Sequence, residues 1–263
     1  MNHLADKRIL LTRTVAQNEA TASLLAEYEA TPVLFPCLDI RYLNTSIQSG
    51  LKQLEQSPVQ TTDVIFSSSN GVLAVAANVD SFSRVFSRYR LVAVGNKTAN
   101  ALKDLGCSVH LIPEEASQEG LVEAYKSQPL PTDVYFFRAE EGNDALANFF
   151  KSQHINLNLI PAYRSQCHPG DSTQIKSLMS AHQVDAVLLG SAKTAAFYVQ
   201  KIDNLKLANT PIIVTMSTQV AEAADKFGLQ VQVIAKKPSF KAMLDGLNQY
   251  FTEQHQKGFE HVI

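Results

Sequence analysis

The second half of this chain repeats landmarks of the first half at the same spacing. The landmarks are an arginine, an asparagine 5 residues later and a proline 23 residues later: Arg13, Asn18 and Pro36 in one copy, and Arg138, Asn143 and Pro161 in the other. Each copy opens on an apolar run, ILLTR or VYFFR, and closes on another, PVLFP or LNLIP. A repeat of this kind predicts two domains that share one fold.

Two further pairs of segments support the repeat. They are residues 91–106 with 212–228, and residues 63–72 with 185–195. Gly106 and Gly228 end the first pair, where a left-handed helix C-cap is expected. Ser68 and Ser191 hold equivalent positions in the second pair, directly after a predicted strand.

Short apolar runs rich in β-branched residues alternate with amphipathic stretches of helical length. This alternation predicts an α/β fold with parallel sheets in two similar domains. We predict a helix at residues 16–28 and strands at residues 9–12, 32–40, 63–66, 91–94, 134–137, 186–189 and 212–215.

The order of the repeated turns differs between the two copies. The central copy has serine, glycine and arginine turns in that order, whereas the other has its arginine turn at the N-terminus. If both copies build the same domain, the first strand and helix must join the last third of the chain. We therefore predict a continuous domain at residues 41–160 and a discontinuous one at residues 1–36 plus 168–252. The crossings at residues 37–41 and 161–167 would form a two-stranded hinge, and the cleft between the domains is the expected ligand site.

Composition excludes several classes of protein. The chain has 263 residues, 45% of them hydrophobic, and a formal net charge of −2, without the basic footprint of a nucleic-acid-binding protein. No apolar run approaches the roughly 20 residues of a membrane span, and residues 1–8 lack the apolar core of a signal peptide. We expect a cytoplasmic monomer that binds neither nucleic acid nor membrane. The polar tail, residues 252–263, is expected to fray.

The motifs of the common cofactor and nucleophile chemistries are missing. The chain has no GxG, no glycine followed by lysine and no GxSxG, which excludes a dinucleotide fingerprint, a Walker A loop and a nucleophile elbow. Three cysteines and seven histidines occur without CxxC, HxxxH or HExxH spacing. Neither a disulfide framework nor a metal site is indicated, and we expect no cofactor.

Strand-to-helix turns rich in small polar residues form the candidate binding site. In parallel α/β sheets such turns lie at the carboxyl edge of the strands, and helix N-termini there bind carboxylates or phosphates. The candidate substrate-binding residues are Thr12, Arg13, Ser68, Ser69, Gly95, Lys97, Thr98, Arg138, Ser191 and Lys193. The alternative is that the Ser and Thr side chains only cap helices.

Tyr163 follows Pro161 in the second expected crossing. Its side chain would project from the hinge into the cleft, where a phenol can donate a proton or hold a leaving hydroxyl. The alternative is packing at the domain junction, with the hydroxyl bound to backbone.

From Ile9 to about Leu247 the chain resembles the uroporphyrinogen-III synthase family. The resemblance rests on the order and spacing of ILLTR, PVLFPCLDI, DVIFSSSNGV, VAVGNKTANAL, SQEGL, FFRAEEGND and PAYRS. It implies two α/β domains joined by a two-stranded connection, with the first domain discontinuous. It also implies a cofactor-free lyase that converts hydroxymethylbilane, a linear tetrapyrrole, into uroporphyrinogen III with loss of water and inversion of the last pyrrole ring. Tyr163 matches the family's characteristic tyrosine and is the implied catalytic residue.

The chain also departs from the family pattern, most clearly at the C-terminal turns. Positions where the family commonly has another residue are Ala139, Asn143, Gly190, Ser217 and Val220. We interpret these departures as drift. Two rival functions stay open: a catalytically silent two-lobe protein that binds a tetrapyrrole or another polyanion, and a periplasmic-type solute receptor, against which the lack of a secretion signal argues.

Overall fold

The computed structural model describes the backbone of residues 2–260 and the side chains of residues 2–256. Strands and helices alternate along most of this length. The strands are β1 (Arg8–Leu11), β2 (Thr31–Leu34), β3 (Leu38–Tyr42), β4 (Thr62–Phe66), β5 (Arg90–Ala93), β6 (Asp133–Ala139), β7 (Asn156–Cys167), β8 (Ala186–Leu189), β9 (Ile212–Thr215) and β10 (Val231–Ile234). The helices are α1 (Val15–Ala26), α2 (Asn44–Leu54), α3 (Ser69–Ala76), α4 (Phe82–Phe86), α5 (Asn96–Asp104), α6 (Gln118–Lys126), α7 (Ala145–Ser152), α8 (Thr173–Ser180), α9 (Ala192–Ile202), α10 (Leu205–Ala208), α11 (Thr218–Lys226) and α12 (Phe240–Glu260).

The chain divides into two compact units. The split unit contains the chain up to Asp39 and from Gln166 onward, and the central unit is Ile40–Ser165. Both boundaries fall inside the segments that the sequence marks as crossings, residues 37–41 and 161–167.

The split unit is built on a five-stranded sheet in the order β10-β9-β8-β1-β2. Its neighbouring strands are parallel, and Ile9 of β1 is paired with Pro32 on one side and with Ala186 on the other. Because successive side chains of a strand alternate between faces, Leu10 packs into one apolar cluster and Ile9 into a second one on the opposite face. The first strand of the chain is therefore an interior strand of a sheet whose other three strands beyond β2 come from the last third.

The central unit has a five-stranded sheet in the order β3-β7-β6-β4-β5. Strands β4, β5, β6 and the first part of β7 are parallel. Aromatic rings fill one face: Phe66 and Phe137 stack with centroids 5.2 Å apart, and Phe86 meets both edge-on. The α/β class with parallel sheets is confirmed in both units.

The predicted single strand at residues 32–40 is wrong. The chain forms β2, breaks around Pro36 and begins again as β3, which pairs with β7 in the other sheet. Cys37 N still donates to Thr12 O at 3.0 Å, so the chain follows β1 up to that point. Pro36 has no N–H to donate to a neighbouring strand, so the strand ends there. The residues before Pro36 form a strand of one sheet, and the residues after it form a strand of the other.

Helix ends agree with the sequence at two glycines and disagree at the C-terminal tail. Gly106 and Gly228 have φ angles of 78° and 81°, which confirms the two left-handed C-caps. Helix α12 continues to Glu260, so fraying from residue 252 is wrong up to that point, and residues 261–263 lie outside the described part. None of the helices described is both long and apolar enough to cross a bilayer.

Candidate functional site

Helices begin just beyond the carboxyl ends of the parallel strands in both units, and most of the candidate residues lie in or near these starts, whereas Arg138 and Tyr163 lie in strands β6 and β7. Ser68 caps α3 and Ser191 caps α9; each side chain accepts a hydrogen bond from the N–H three residues later, at 3.2 Å. Gly95 precedes α5 without a side-chain cap. The carboxyl edge of each sheet thus presents helix N-termini, whose N–H groups and dipoles attract anions.

Tyr163 and Ser68 form a hydroxyl pair in the central unit. Their oxygens lie 2.8 Å apart, and Ser68 Oγ also accepts from Gly71 N. Tyr163 is 8% exposed and belongs to the buried apolar cluster that also contains Phe66 and Phe137. A phenol that releases a proton here would develop negative charge at the N-terminus of α3, where the helix dipole stabilises it.

A bulge in the pairing of β6 with β7 sets the position of Tyr163. Arg138 is paired with Pro161, whereas the next residue of β6 is paired with Tyr163, so one residue of β7 is extra. Beyond the bulge, Tyr163 O accepts from Glu140 N at 2.8 Å. Bulges re-aim side chains next to functional sites, and no sequence pattern indicated this one.

Arg138 is directed into the protein rather than toward a ligand. It is 7% exposed, and its Nη1 donates to Asp144 Oδ1 at 2.7 Å while its Nε donates to Ala139 O at 3.2 Å. Gly142 lies against the guanidinium, since an added Cβ would approach Nη2 to 2.7 Å. The planar donor fork of Arg138 therefore shapes the turn between β6 and α7.

The other candidates in the central unit differ in accessibility. Ser69 is the half-buried first residue of α3, and Thr98 in α5 is 4% exposed. The loop before α6 lies close to Gly95, because an added Cβ there would approach the Cβ of Ala116 to 3.0 Å. Lys97 is exposed in the first turn of α5, so its ammonium is accessible to an acidic ligand.

Two charged residues beside Tyr163 were missed as site residues. Arg164 follows it in β7, and Arg164 Nη1 lies 3.8 Å from Glu140 Oε2. The pair borders a cavity of about 640 Å³ whose lining also includes Arg41 and Ser46. The sequence carried no signal for this, because the residues come from three separate segments.

In the split unit, the hydroxyl of Thr12 is used inside the protein. Thr12 Oγ1 donates to Leu188 O at 2.6 Å, and the residue is 1% exposed. The neighbouring turn is held by Asn18, whose Oδ1 accepts from Arg13 N at 2.9 Å and whose Nδ2 donates to Leu11 O at 3.0 Å. Thr12 therefore joins β1 to β8, and Asn18 presents Arg13.

Arg13 is a half-buried cation at the carboxyl edge of the split unit. Its guanidinium carbon lies 5.2 Å from the centroid of the Phe240 ring, and its Cδ lies beside Gly190. Burial lowers the pKa of Arg13 from its ordinary value, although arginine keeps its proton. Within the described residues its guanidinium has no hydrogen bond or ion pair, so a ligand carboxylate would be a favourable neighbour.

The remaining candidates of the split unit lie at the start of α9. Ser191 Oγ contacts Thr194 Oγ1 at 2.8 Å in addition to the capping bond. Lys193 is half-buried in the first turn. No cluster of three or more His, Cys, Asp or Glu side chains within the described chain could hold a metal ion.

Comparison with known proteins identifies relatives along almost the whole chain. A family model described as uroporphyrinogen-III synthase HemD matches residues 19–245. A uroporphyrinogen-III synthase of Synechococcus elongatus is 28% identical over 206 residues, covering 75% of each chain. The porphyrin biosynthesis protein HemD of Ruminiclostridium josui is 22% identical over 246 residues, but the chain spans only 48% of its length.

Solved structures show the same fold. A mutant uroporphyrinogen III synthase of Thermus thermophilus superposes with a TM-score of 0.61 at 17% identity, covering 94% of this chain and 99% of that one. A uroporphyrinogen-III synthetase of Helicobacter pylori gives a TM-score of 0.60 at 16% identity, covering 91% and 97%.

Proposed function

The chain belongs to the uroporphyrinogen-III synthase family, and on that premise we propose that it closes hydroxymethylbilane to uroporphyrinogen III with inversion of the last pyrrole ring. Membership in a family of cyclising enzymes of porphyrin biosynthesis confirms the predicted family and enzyme class. The observation that carries the proposal is the hydroxyl pair of Tyr163 and Ser68, which gives the central unit a proton donor at a helix N-terminus.

The substrate's many carboxylates suit the carboxyl edges of both sheets. Each of its rings bears an acetate and a propionate, and a carboxylate is bound well by helix N-termini and by cations. We assign this work to Arg13, Lys97 and Lys193 and to the N–H groups that begin α3 and α9. Thr12 and Arg138, whose side chains bond inside the protein, act by shaping two of the turns.

Tyr163 assists the departure of the terminal hydroxyl. Protonation of that hydroxyl lets it leave as water and produces an electrophilic azafulvene. The substituted carbon of the last ring then attacks to form a spiro intermediate, which fragments and recloses with the ring inverted. In water the tetrapyrrole would close without inversion, so the protein must also hold the chain where the unsubstituted carbon cannot reach.

An isomer assay tests the function directly. Hydroxymethylbilane is supplied, the products are oxidised, and the isomers are resolved by chromatography. We expect isomer III at a rate far above the enzyme-free control. Isomer I alone, at the control rate, would instead identify a silent binding protein.

Tyr163→Phe tests the proton donor. We expect kcat for isomer III to fall about a hundredfold, the lower end of the usual contribution of acid–base catalysis, because water and substrate can still protonate the leaving group slowly. A loss beyond about a thousandfold would mean that the phenol does more than assist. Full activity would remove Tyr163 from the mechanism.

A further inference from the structure

We propose that Ser68 is a positioning residue for Tyr163: it holds the phenolic oxygen by donating its own proton, and thereby directs the tyrosine proton toward the leaving hydroxyl. This inference rests on the proposed function. Ser68 was predicted as a substrate ligand, but the structure places its oxygen 2.8 Å from Tyr163 Oη.

The 2.8 Å contact fits either hydroxyl as donor, and the inference assigns the donor role to Ser68. A serine hydroxyl has one proton and two acceptor positions. One acceptor position of Ser68 Oγ is taken by Gly71 N–H at 3.2 Å. When the single Ser68 proton points to Tyr163 Oη, the phenolic proton is left for another acceptor, which in the complex is the substrate.

Ser68 differs from the other serine caps in where its second bond goes. Ser191 makes its second contact with Thr194, and Ser117 with Glu115, each within its own turn. Ser68 reaches a residue 95 positions away, on strand β7. A cap alone needs no such partner, so the contact with Tyr163 points to a second task.

The proton-transfer step uses both hydroxyls. Tyr163 gives its proton to the substrate hydroxyl, the C–O bond breaks with its electron pair on that oxygen, and water leaves while the pyrrole nitrogen supplies electrons to the carbon. The Ser68 hydroxyl keeps its proton and donates a hydrogen bond to the developing phenolate. The dipole of α3 also stabilises this negative charge. The phenolate recovers a proton from the ring carbon that loses one when the last pyrrole regains aromaticity.

A double-mutant cycle tests the inference on the full chain, with kcat and KM for isomer III as readouts. Ser68→Ala in the wild-type background should lower kcat about tenfold, the value of one hydrogen bond to a charged group, and leave KM unchanged. In the Tyr163→Phe background, Ser68→Ala should cause no further loss, because Ser68 acts only through the phenol.

Three further variants separate positioning from helix capping. Ser68→Thr keeps the hydroxyl and should restore most of kcat. Ser68→Gly keeps a favourable cap residue without the hydroxyl and should behave like Ser68→Ala even if the alanine variant folds poorly. Asn204→Ala removes the cap of α10, where Asn204 Oδ1 accepts from Leu207 N at 2.9 Å, and should lower the melting temperature without changing kcat.

The outcomes are distinguishable. An equal loss of kcat from Ser68→Ala in both backgrounds, or a raised KM with unchanged kcat, would overturn the inference while leaving the proposed function standing. Full activity of Tyr163→Phe alone would remove Tyr163 from the proposed mechanism, and the role of Ser68 with it.

Discussion

The two arginine turns of this chain share their spacing but place their arginines in opposite surroundings. Arg138 is buried and paired with Asp144, whereas Arg13 is half-buried over the ring of Phe240 and keeps its guanidinium unpaired among the described residues. The spacing that the two turns share therefore reproduces the strand, the turn and the helix start. It does not reproduce the partner of the side chain, which is Asp144 of the same turn for Arg138 and Phe240 of a distant helix for Arg13.

The asparagines of the two turns differ in the same way. Asn18 is 2% exposed and bonds to backbone on both sides of its turn. Asn143 is exposed, accepts from Ala145 N and donates to Glu119 Oε1. In one copy the buried asparagine holds the backbone of its turn, and in the other the asparagine forms hydrogen bonds at the protein surface.

The aspartates that begin the third pair of repeated segments show the contrast most strongly. The Asp63 side chain is 3% exposed, accepts from Tyr125 Oη at 2.6 Å and pairs with Arg90 at 3.0 Å. Burial raises the pKa of Asp63 although both partners oppose this. The Asp185 side chain is 30% exposed and pairs with Lys7 at 3.0 Å.

Removing the cation from each aspartate should give the largest difference between the units. Arg90→Met leaves a buried carboxylate without its ion pair and should cost about 3 kcal/mol of unfolding free energy. Lys7→Met breaks a partly exposed pair and should cost about 0.5 kcal/mol. Urea unfolding of the two variants measures both, and equal losses would show that burial does not separate the aspartates.

Removing the asparagines should give a smaller difference in the same direction. Asn18→Ala leaves Arg13 N without a partner and removes one of the two hydrogen bonds at Leu11 O, which still accepts from Phe35 N. It should cost about 2 kcal/mol, within the range for an unsatisfied buried donor. Asn143→Ala exposes its partners to water and should change stability by less than about 0.5 kcal/mol. The check is again urea unfolding; a costly Asn143→Ala would mean that the surface network around Glu119 is structural.

Replacing the two arginines should separate substrate binding from stability. The expected change in free energy is the smallest of the three pairs of substitutions. Arg13→Met should raise KM for hydroxymethylbilane about tenfold, the loss of one charge-assisted hydrogen bond, and leave the melting temperature nearly unchanged. Arg138→Met should lower the unfolding free energy by about 1 kcal/mol, and the melting temperature with it, because the variant loses hydrogen bonds inside the protein. The opposite pattern would reverse the roles assigned to the two turns.

Much of the fold could be predicted because its signals are local. Apolar runs predicted strands at 186–189 and 212–215 with the bounds that the structure has, and the glycines after two helices predicted left-handed caps. The strand at 32–40 was the main error, since periodicity does not show that a run divides between two sheets. The cytoplasmic location and the monomeric state stay predictions.

The candidate site was predictable as a set of turns but not as a set of contacts. Ser68 and Tyr163 were named for separate tasks, binding and catalysis, and their 2.8 Å contact depends on a bulge that no local pattern indicates. Phe240 beneath Arg13 gave no signal, because it lies 227 residues farther along the chain.

By itself, the order of residues determined the α/β class, the starts and caps of helices, and the family, because these follow from short-range periodicity, turn chemistry and motif spacing. Tertiary structure alone decided that Arg13 lies over the ring of Phe240, that Asp63 is buried against Tyr125 and Arg90, and which two hydroxyls meet. Those outcomes depend on side chains brought together from distant segments, where burial and bond geometry are created only when the strands are assembled.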